Sequence, residues 1–292
     1  MTSPTIIAEI GCNHKGVLSI AKEMIKTAAN YCNSDIVKFQ KRNNKELLTE
    51  EEYSSPHPNP ANSYGATYGE HREYLEFNIG EHLQLKEWCE EFGVEYSTSV
   101  WDLTSAKEII SINPSSVKIP SACNLNKPLL EYICDYFPGL IHVSFGMTSK
   151  DEENKIISLF EKKNRNKDMI IYCCTSGYPV PFEDICLLEI VRMQKMYKNR
   201  VRAIGFSGHH LGIAVDSAAV SLGAEYIERH FTLDRTWKGT DHAASLEPEG
   251  LRKLARDCNA VAKALTYKSQ EILDIEHIQR DKLKKNQIIW PE

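Results

Sequence analysis

The sequence predicts a parallel (β/α)8 barrel. Three observations carry that expectation. Eight short β-rich runs alternate with amphipathic helical stretches along most of the chain. Each run ends in polar or ionisable residues, as it must if the active site lies at the carboxyl ends of barrel strands. A chain of 292 residues, 42% hydrophobic and 26% charged, can bury the single large core that such a fold needs. A doubly wound open sheet is the alternative architecture.

The first run, TIIAEIG (5 to 11), carries Glu9, with His14 just beyond, and leads into the helical LSIAKEMIKTAANYC. The second, DIVKFQK (35 to 41), ends with Lys38 and Gln40. A long irregular insert follows, about 43 to 80, whose prolines and glycines mark a lid or binding loop. After the helical EHLQLKEWCEEF comes VEYSTSV (94 to 100), with Ser97 and Thr98, then the helix TSAKEIISI entered at Thr104-Ser105 with Glu108 behind them. SSVKIPS (115 to 121) supplies Lys118 and Ser121 ahead of KPLLEYICDYF. LIHVSFG (140 to 146) supplies Ser144 ahead of DEENKIISLFEKK, which Ser149 caps. MIIYCCT (169 to 175) ends near Thr175, Ser176 and Tyr178, and the helix FEDICLLEIVRMQKMY follows. RAIGFSG (202 to 208) brings Ser207 and His209 before IAVDSAAVSLG. AEYIERHF (224 to 231) brings Glu228 and His230 before the last barrel helix, EPEGLRKLARDCNAVAKAL. The barrel is thus expected over 1–265, with a helix and tail over 266–292.

Composition narrows the function. A net charge of −5 and a pI near 6.1 argue against a general nucleic-acid surface. There is no run of about 18 apolar residues and no signal-peptide pattern, so the expectation is a cytoplasmic protein with no membrane association. Nine cysteines without C-x-x-C spacing read as reduced thiols. The glycine-rich nucleotide motifs and the nucleophile elbow G-x-S-x-G are missing from the sequence.

Residues two apart share a strand face, so Ser207 with His209, and Glu228 with His230, point the same way. If that way is inward, two imidazoles from neighbouring strands face each other and can share a divalent metal with open positions. His210 and His242 are competing ligands, although His210 should face away. Lys38 and Lys118 lie among apolar neighbours, where an inward ammonium needs an anion: Glu9, Glu228, or a substrate phosphate or carboxylate. Hydroxyls at Thr98, Ser121, Ser144, Ser176 and Ser207 suit the substrate reading.

The ordered set AEIGCNHKG, VKFQK, STSVWD, VKIPSA, SFGM, CTSGYP, GFSGHHLG, IERHFTLDR and GTDHAAS resembles the sialic acid synthase family from residue 6 to about 265. The resemblance implies a (β/α)8 enzyme, a transferase that condenses phosphoenolpyruvate with an open-chain acylated hexosamine similar to N-acetylmannosamine. It implies a divalent metal, Mn2+ or Mg2+, held by His209 and His230, and a homodimer. Lys38, Thr98, Lys118, Ser121, Ser144, Ser176 and Ser207 would hold phosphoenolpyruvate; Glu9, Gln40, Tyr178 and Asp241 would face the sugar. Two positions depart from the family pattern: Cys123 stands where members carry a glutamate, so Glu9 or Glu228 would handle water, and Ser176 stands where many carry asparagine. Family members often append an antifreeze-like domain whose arginine reaches the sugar site, and the sequence stops before it. The 53–79 loop, with Arg72 as the substitute cation, would then close the pocket. A metal-dependent barrel hydrolase and a non-catalytic sugar-phosphate binding protein are the competing readings.

Overall fold

The computed structural model describes residues 3–285. Eight strands close a parallel barrel in sequence order: β1 (Thr5–Gly11), β2 (Ile36–Lys41), β3 (Glu95–Val100), β4 (Ser116–Ile119), β5 (Leu140–Ser144), β6 (Met169–Cys174), β7 (Ala203–Gly208) and β8 (Tyr226–His230). The barrel shuts where β8 pairs with β1, Glu9 standing opposite His230. Each strand is nearly all buried, because one face meets the barrel interior and the other a layer of helices. Ile7, Ile36, Ile170, Tyr172 and Ala203 fill the interior towards the amino ends, so the barrel is packed below and polar above.

The outer helices are α1 (Leu18–Asn30), α2 (Asn44–Leu47), α3 (Glu50–Ser54), α4 (Tyr68–Tyr74), α5 (Ile79–Glu91), α6 (Leu103–Ser111), α7 (Lys127–Tyr136), α8 (Lys150–Lys162), α9 (Leu188–Tyr197), α10 (Ala214–Ser221), α11 (Pro248–Ala264) and α12 (Asp274–Leu283). α8 begins with the expected Ser149 cap, reciprocated by Glu152. α6 is capped instead by Asp102, whose carboxylate accepts the Ser105 N–H at 2.7 Å; an aspartate outside the first turn leaves Thr104 and Ser105 inside it. The helix expected over 182–197 is broken. A 3-10 turn at Phe182–Asp184 is followed by Cys186 in the left-handed region at φ 54°, and α9 starts only at Leu188. Of the expected C-terminal helix and tail, α12 is seen; residues 286–292 lie outside the described residues.

The largest correction concerns the insert. It is not irregular: α2, α3, a 3-10 turn at Pro60–Asn62 and α4 fill it. Capping drives this. Thr49 with Glu52 and Thr67 with Glu70 form two complete capping boxes, each satisfying two otherwise orphaned backbone donors. Gly69 lets α4 lie against α3, since a Cβ there would come within 2.3 Å of the Tyr53 ring.

Two histidines lock the scaffold and contribute to its pH response. His82 Nδ1 lies 2.7 Å from the Tyr96 hydroxyl, and His142 Nδ1 lies 2.7 Å from that of Tyr172. Burial pushes both rings down to about 3, with Lys41 adding to the effect at His82 and Lys118 at His142. The unfolded chain therefore takes up protons below about pH 6.5 that the folded chain refuses. Their stabilisation is complete above pH 6.5 and is lost as pH falls towards 3. Urea unfolding at pH 5 is expected to give a free energy lower than at pH 7 by about 2 kcal/mol per histidine. A total fall under about 1 kcal/mol would contradict this account.

Candidate active site

Strand pleating aims one set of residues at the barrel mouth. Glu9, Lys38, Gln40, Ser99, Lys118, Ser144, Cys174, Ser207, Glu228 and His230 all line one cavity of about 600 Å³ at the carboxyl ends of the strands. Ser121, Ser176, Tyr178, His209 and Asp241 reach it from the loops beyond, and Arg72 from α4. Of the residues given a catalytic, metal or substrate role, Thr98 alone does not line it, and of the other strand-end polar residues His14, Ser97 and Thr175 do not line it either. Thr98 shares a strand face with Tyr96, which meets His82 of α5, so the inward hydroxyl comes from the next residue, Ser99. Cys123 also stays out: it closes the Ser121–Cys123 turn and packs into the hydrophobic core. His210 and His242 take structural partners, respectively Arg229 and Asp216, and the Thr232 hydroxyl.

Four ionisable groups form the floor. Lys38 Nζ contacts Glu9, donates to Ser99 Oγ at 3.0 Å and lies 3.7 Å from Glu228. Lys118 Nζ sits 2.7 Å from Glu228 Oε1 and 4.2 Å over the Tyr172 ring. Ser207 Oγ donates to the same Glu228 oxygen at 3.2 Å. Both lysines are nearly inaccessible, so each needs its carboxylate when no ligand is bound. Burial opposes the charge on Glu228, but Lys118 and Lys38 outweigh it and hold its carboxyl well below the usual range. Glu9 shifts the other way, to about 7, because burial dominates the attraction of Lys38. Burial depresses Lys118, whereas Glu228 and Glu9 raise Lys38 against the same burial cost.

Beside this floor lies a hydroxyl cradle. The Gly146 N–H donates to Ser121 Oγ at 3.0 Å. A Cβ on Gly146 would come within 2.4 Å of Ser176 Oγ and 2.7 Å of Ser121 Oγ, so only glycine lets these hydroxyls converge. Asn124 fastens the surrounding loop, donating to the Ser144 carbonyl at 2.8 Å.

On the other side, the His209 and His230 rings face each other with centroids 5.4 Å apart. Tyr178 packs against both, at 4.4 and 5.7 Å. His209 Nδ1 donates to the Thr175 carbonyl at 3.0 Å, which leaves the Nε2 lone pair free. Nδ1 of His230 is buried without a partner. Burial pushes both rings down to about 3, the facing His230 adding to the effect at His209 and Lys38 at His230. Neutral imidazoles are the ligating form. With metal–nitrogen bonds of ~2 Å, two rings at this separation can share one ion. No third His, Cys, Asp or Glu converges there among the described residues, which leaves further positions to water or substrate oxygen. The donor set therefore fits a divalent cation.

Sequence reasoning missed part of the outer wall. Arg42, His57, Tyr68, His71 and Trp101 also line the cavity. Arg42 is held by Glu76 and donates to Cys12 Sγ at 2.9 Å. Nothing local announces it, because Glu76 lies 34 residues away. Ser99 was accessible through the period-two rule applied from Ser97.

Comparison with known proteins agrees with this geometry. A family model described as "NeuB family" matches residues 24–270. The human N-acetylneuraminate-9-phosphate synthase is 38% identical over 289 residues, 96% of this chain and 76% of that protein. The N,N'-diacetyllegionaminic acid synthase of Campylobacter jejuni is 31% identical over 91% of this chain and 78% of its own length. Among solved structures, an N-acetylneuraminic acid synthetase from Leptospira borgpetersenii in complex with citrate superposes with a TM-score of 0.82 at 30% identity, covering 98% of this chain and 94% of that one.

Proposed function

The chain belongs to the NeuB family, and from that premise we propose that it is a phosphoenolpyruvate-dependent synthase. It joins phosphoenolpyruvate to the aldehyde of an open-chain acylated hexosamine, forming a sialic-type 2-keto acid and phosphate. The observation that carries this reading is one cavity holding two buried lysines beside a hydroxyl cradle, opposite two neutral imidazoles. A hydrolase would use the imidazoles but gives the lysines and the cradle no anion to hold.

In this reading Lys38, Lys118 and the hydroxyls of Ser99, Ser121, Ser144, Ser176 and Ser207 bind the phosphate and carboxylate of phosphoenolpyruvate. Tyr178, Gln40 and Asp241 orient the sugar. His209 and His230 would hold a divalent cation, Mn2+ or Mg2+, which would supply Lewis-acid polarisation of the aldehyde when bound. The methylene carbon of phosphoenolpyruvate bonds to the aldehyde carbon, whose oxygen takes the π electrons and a proton to become a hydroxyl, and water adds to the adjoining cationic centre and gives up a proton. The carbon–oxygen bond to phosphate then breaks as the newly added hydroxyl loses its proton, leaving the keto group and inorganic phosphate. Glu9, whose carboxyl sits near 7, accepts the proton that the water gives up; Glu228, held ionised by both lysines, stabilises the cationic centre. Nine free thiols suit a cytoplasmic location.

The test incubates the protein with phosphoenolpyruvate, Mn2+ and a panel of acylated hexosamines, measuring phosphate and 2-keto acid together. Equimolar formation of both is expected with at least one acceptor. Phosphate without keto acid, or neither product with any acceptor, would remove the synthase reading.

A further inference from the structure

We propose that Asn13 and Ser245 are positioning residues for the acceptor sugar: a buried amide-to-hydroxyl relay between them holds Asp241 at the cavity wall. The inference rests on the synthase reading above, in which Asp241 meets the sugar. It begins with a loop that has little to hold it. Asp241 lines the cavity from a segment that forms no helix or strand between β8 and a 3-10 turn at His242–Ala244. Its side chain does not cap that turn, so the carboxylate is not spent on local structure. On the solvent side the loop is tied by exposed contacts, Arg235 to the Ala243 carbonyl at 3.2 Å and Thr236 to Asp234 at 2.6 Å, for which water competes.

Asn13, from the loop after β1, supplies a buried tie. Both it and Ser245 are enclosed, and neither lines the cavity, so neither touches substrate. Asn13 Nδ2 donates to the Phe231 carbonyl at 2.9 Å and to Ser245 Oγ at 2.9 Å. The Phe231 carbonyl only accepts, which fixes the way the amide faces. Ser245 Oγ, already receiving one proton, sends its own to the Asp241 carbonyl at 2.7 Å. Both ends of the relay are anchored in the barrel, since the Phe231 N–H donates to the Glu9 carbonyl at 2.8 Å and the Leu246 N–H to the His230 carbonyl at 2.8 Å. The relay therefore runs from the seam where β1 meets β8 out to the backbone of Asp241. A second buried tie, Thr232 Oγ1 to His242 Nδ1 at 2.8 Å, fastens the turn beyond it.

The experiment measures steady-state kinetics with phosphoenolpyruvate, Mn2+ and the acylated hexosamine that the wild type turns over best, together with calorimetric Kd values for that sugar and for Mn2+. Ser245→Ala is expected to raise KM and Kd for the sugar by about tenfold, while KM for phosphoenolpyruvate and Kd for Mn2+ stay within about twofold of the wild type. Ser245→Thr, which keeps the hydroxyl, should recover most of the loss. Because the relay acts through Asp241, adding Ser245→Ala to Asp241→Ala should raise the sugar constants by less than about twofold more. Asn13→Ala should match Ser245→Ala; should it fail to fold, the Ser245 series decides alone. An unchanged sugar KM in Ser245→Ala would overturn the relay. So would equal losses for sugar, phosphoenolpyruvate and Mn2+, the mark of a mouth loosened as a whole, or full additivity with Asp241→Ala. Where no acceptor is turned over, the Kd for N-acetylmannosamine is compared instead: a tenfold weakening in Ser245→Ala retains the relay and counts against the synthase reading alone, equal Kd values overturn the relay, and a wild type that binds no sugar overturns both.

Discussion

Lys118→Met is expected to lower kcat/KM for phosphoenolpyruvate by about 10³, or roughly 4 kcal/mol. Two losses combine. The substitution removes an ammonium from the wall assigned to a multiply charged anion. It also strips Glu228 of the partner 2.7 Å away, leaving a buried carboxylate facing that anion with only Lys38, 3.7 Å distant, to offset it. The second loss can be isolated. Lys118→Met combined with Glu228→Gln removes the uncompensated charge, so the double variant should lose less than the two single losses added together. Steady-state phosphate release at saturating sugar measures both. Less than a tenfold loss in the single variant, with KM for phosphoenolpyruvate unchanged, would take Lys118 out of the substrate site.

That prediction rests on residues legible in the sequence, and the contrast with those that were not is instructive. Lys38, Lys118, Glu228 and His230 stand in strands, where alternation fixes the face once one neighbour is placed. The same rule, carried from Ser97, selects Ser99 over Thr98; a count of hydroxyls does not. The insert was misjudged because prolines and glycines outweighed two T-x-x-E capping boxes, each a local signal strong enough to start a short helix. Arg42, His57 and Trp101 were hidden for another reason: they reach the cavity only through contacts between segments distant in sequence. Cys123 shows the converse limit. The motif matches it to a position where family members carry a glutamate, yet the 3-10 turn that follows β4 turns its side chain into the core.

Arg229 lies between Glu228 and His230 and points away from the cavity, where it ties β8 to the loop after β7. Its Nη1 donates to Asp216 Oδ2 at 2.5 Å and to the Gly212 carbonyl at 2.9 Å, and its Nη2 donates to the His210 carbonyl at 2.5 Å. Asp216 is fully enclosed. Arg229→Met should therefore leave a buried carboxylate with only His210 Nε2, 3.2 Å away, as a partner and no cation, and lower the unfolding free energy by about 3–5 kcal/mol, a fall in Tm of roughly 10 °C for a domain of this size. The exposed pair Lys163–Asp135 supplies the internal control, since Lys163→Ala should leave the unfolding midpoint close to that of the wild type despite its 2.7 Å separation. Replacing both partners, Arg229→Met with Asp216→Leu, removes the stranded charge and should recover most of the lost stability in urea unfolding. It does not restore the tether to the carbonyl of His210, the residue next to His209. The double variant should accordingly unfold near the wild-type midpoint yet bind Mn2+ more weakly in calorimetry. A single variant as stable as the wild type would mean that His210 Nε2, 3.2 Å from Asp216 Oδ2, is partner enough for that carboxylate, and a double variant with unchanged Mn2+ affinity would free the two histidines from any dependence on Arg229.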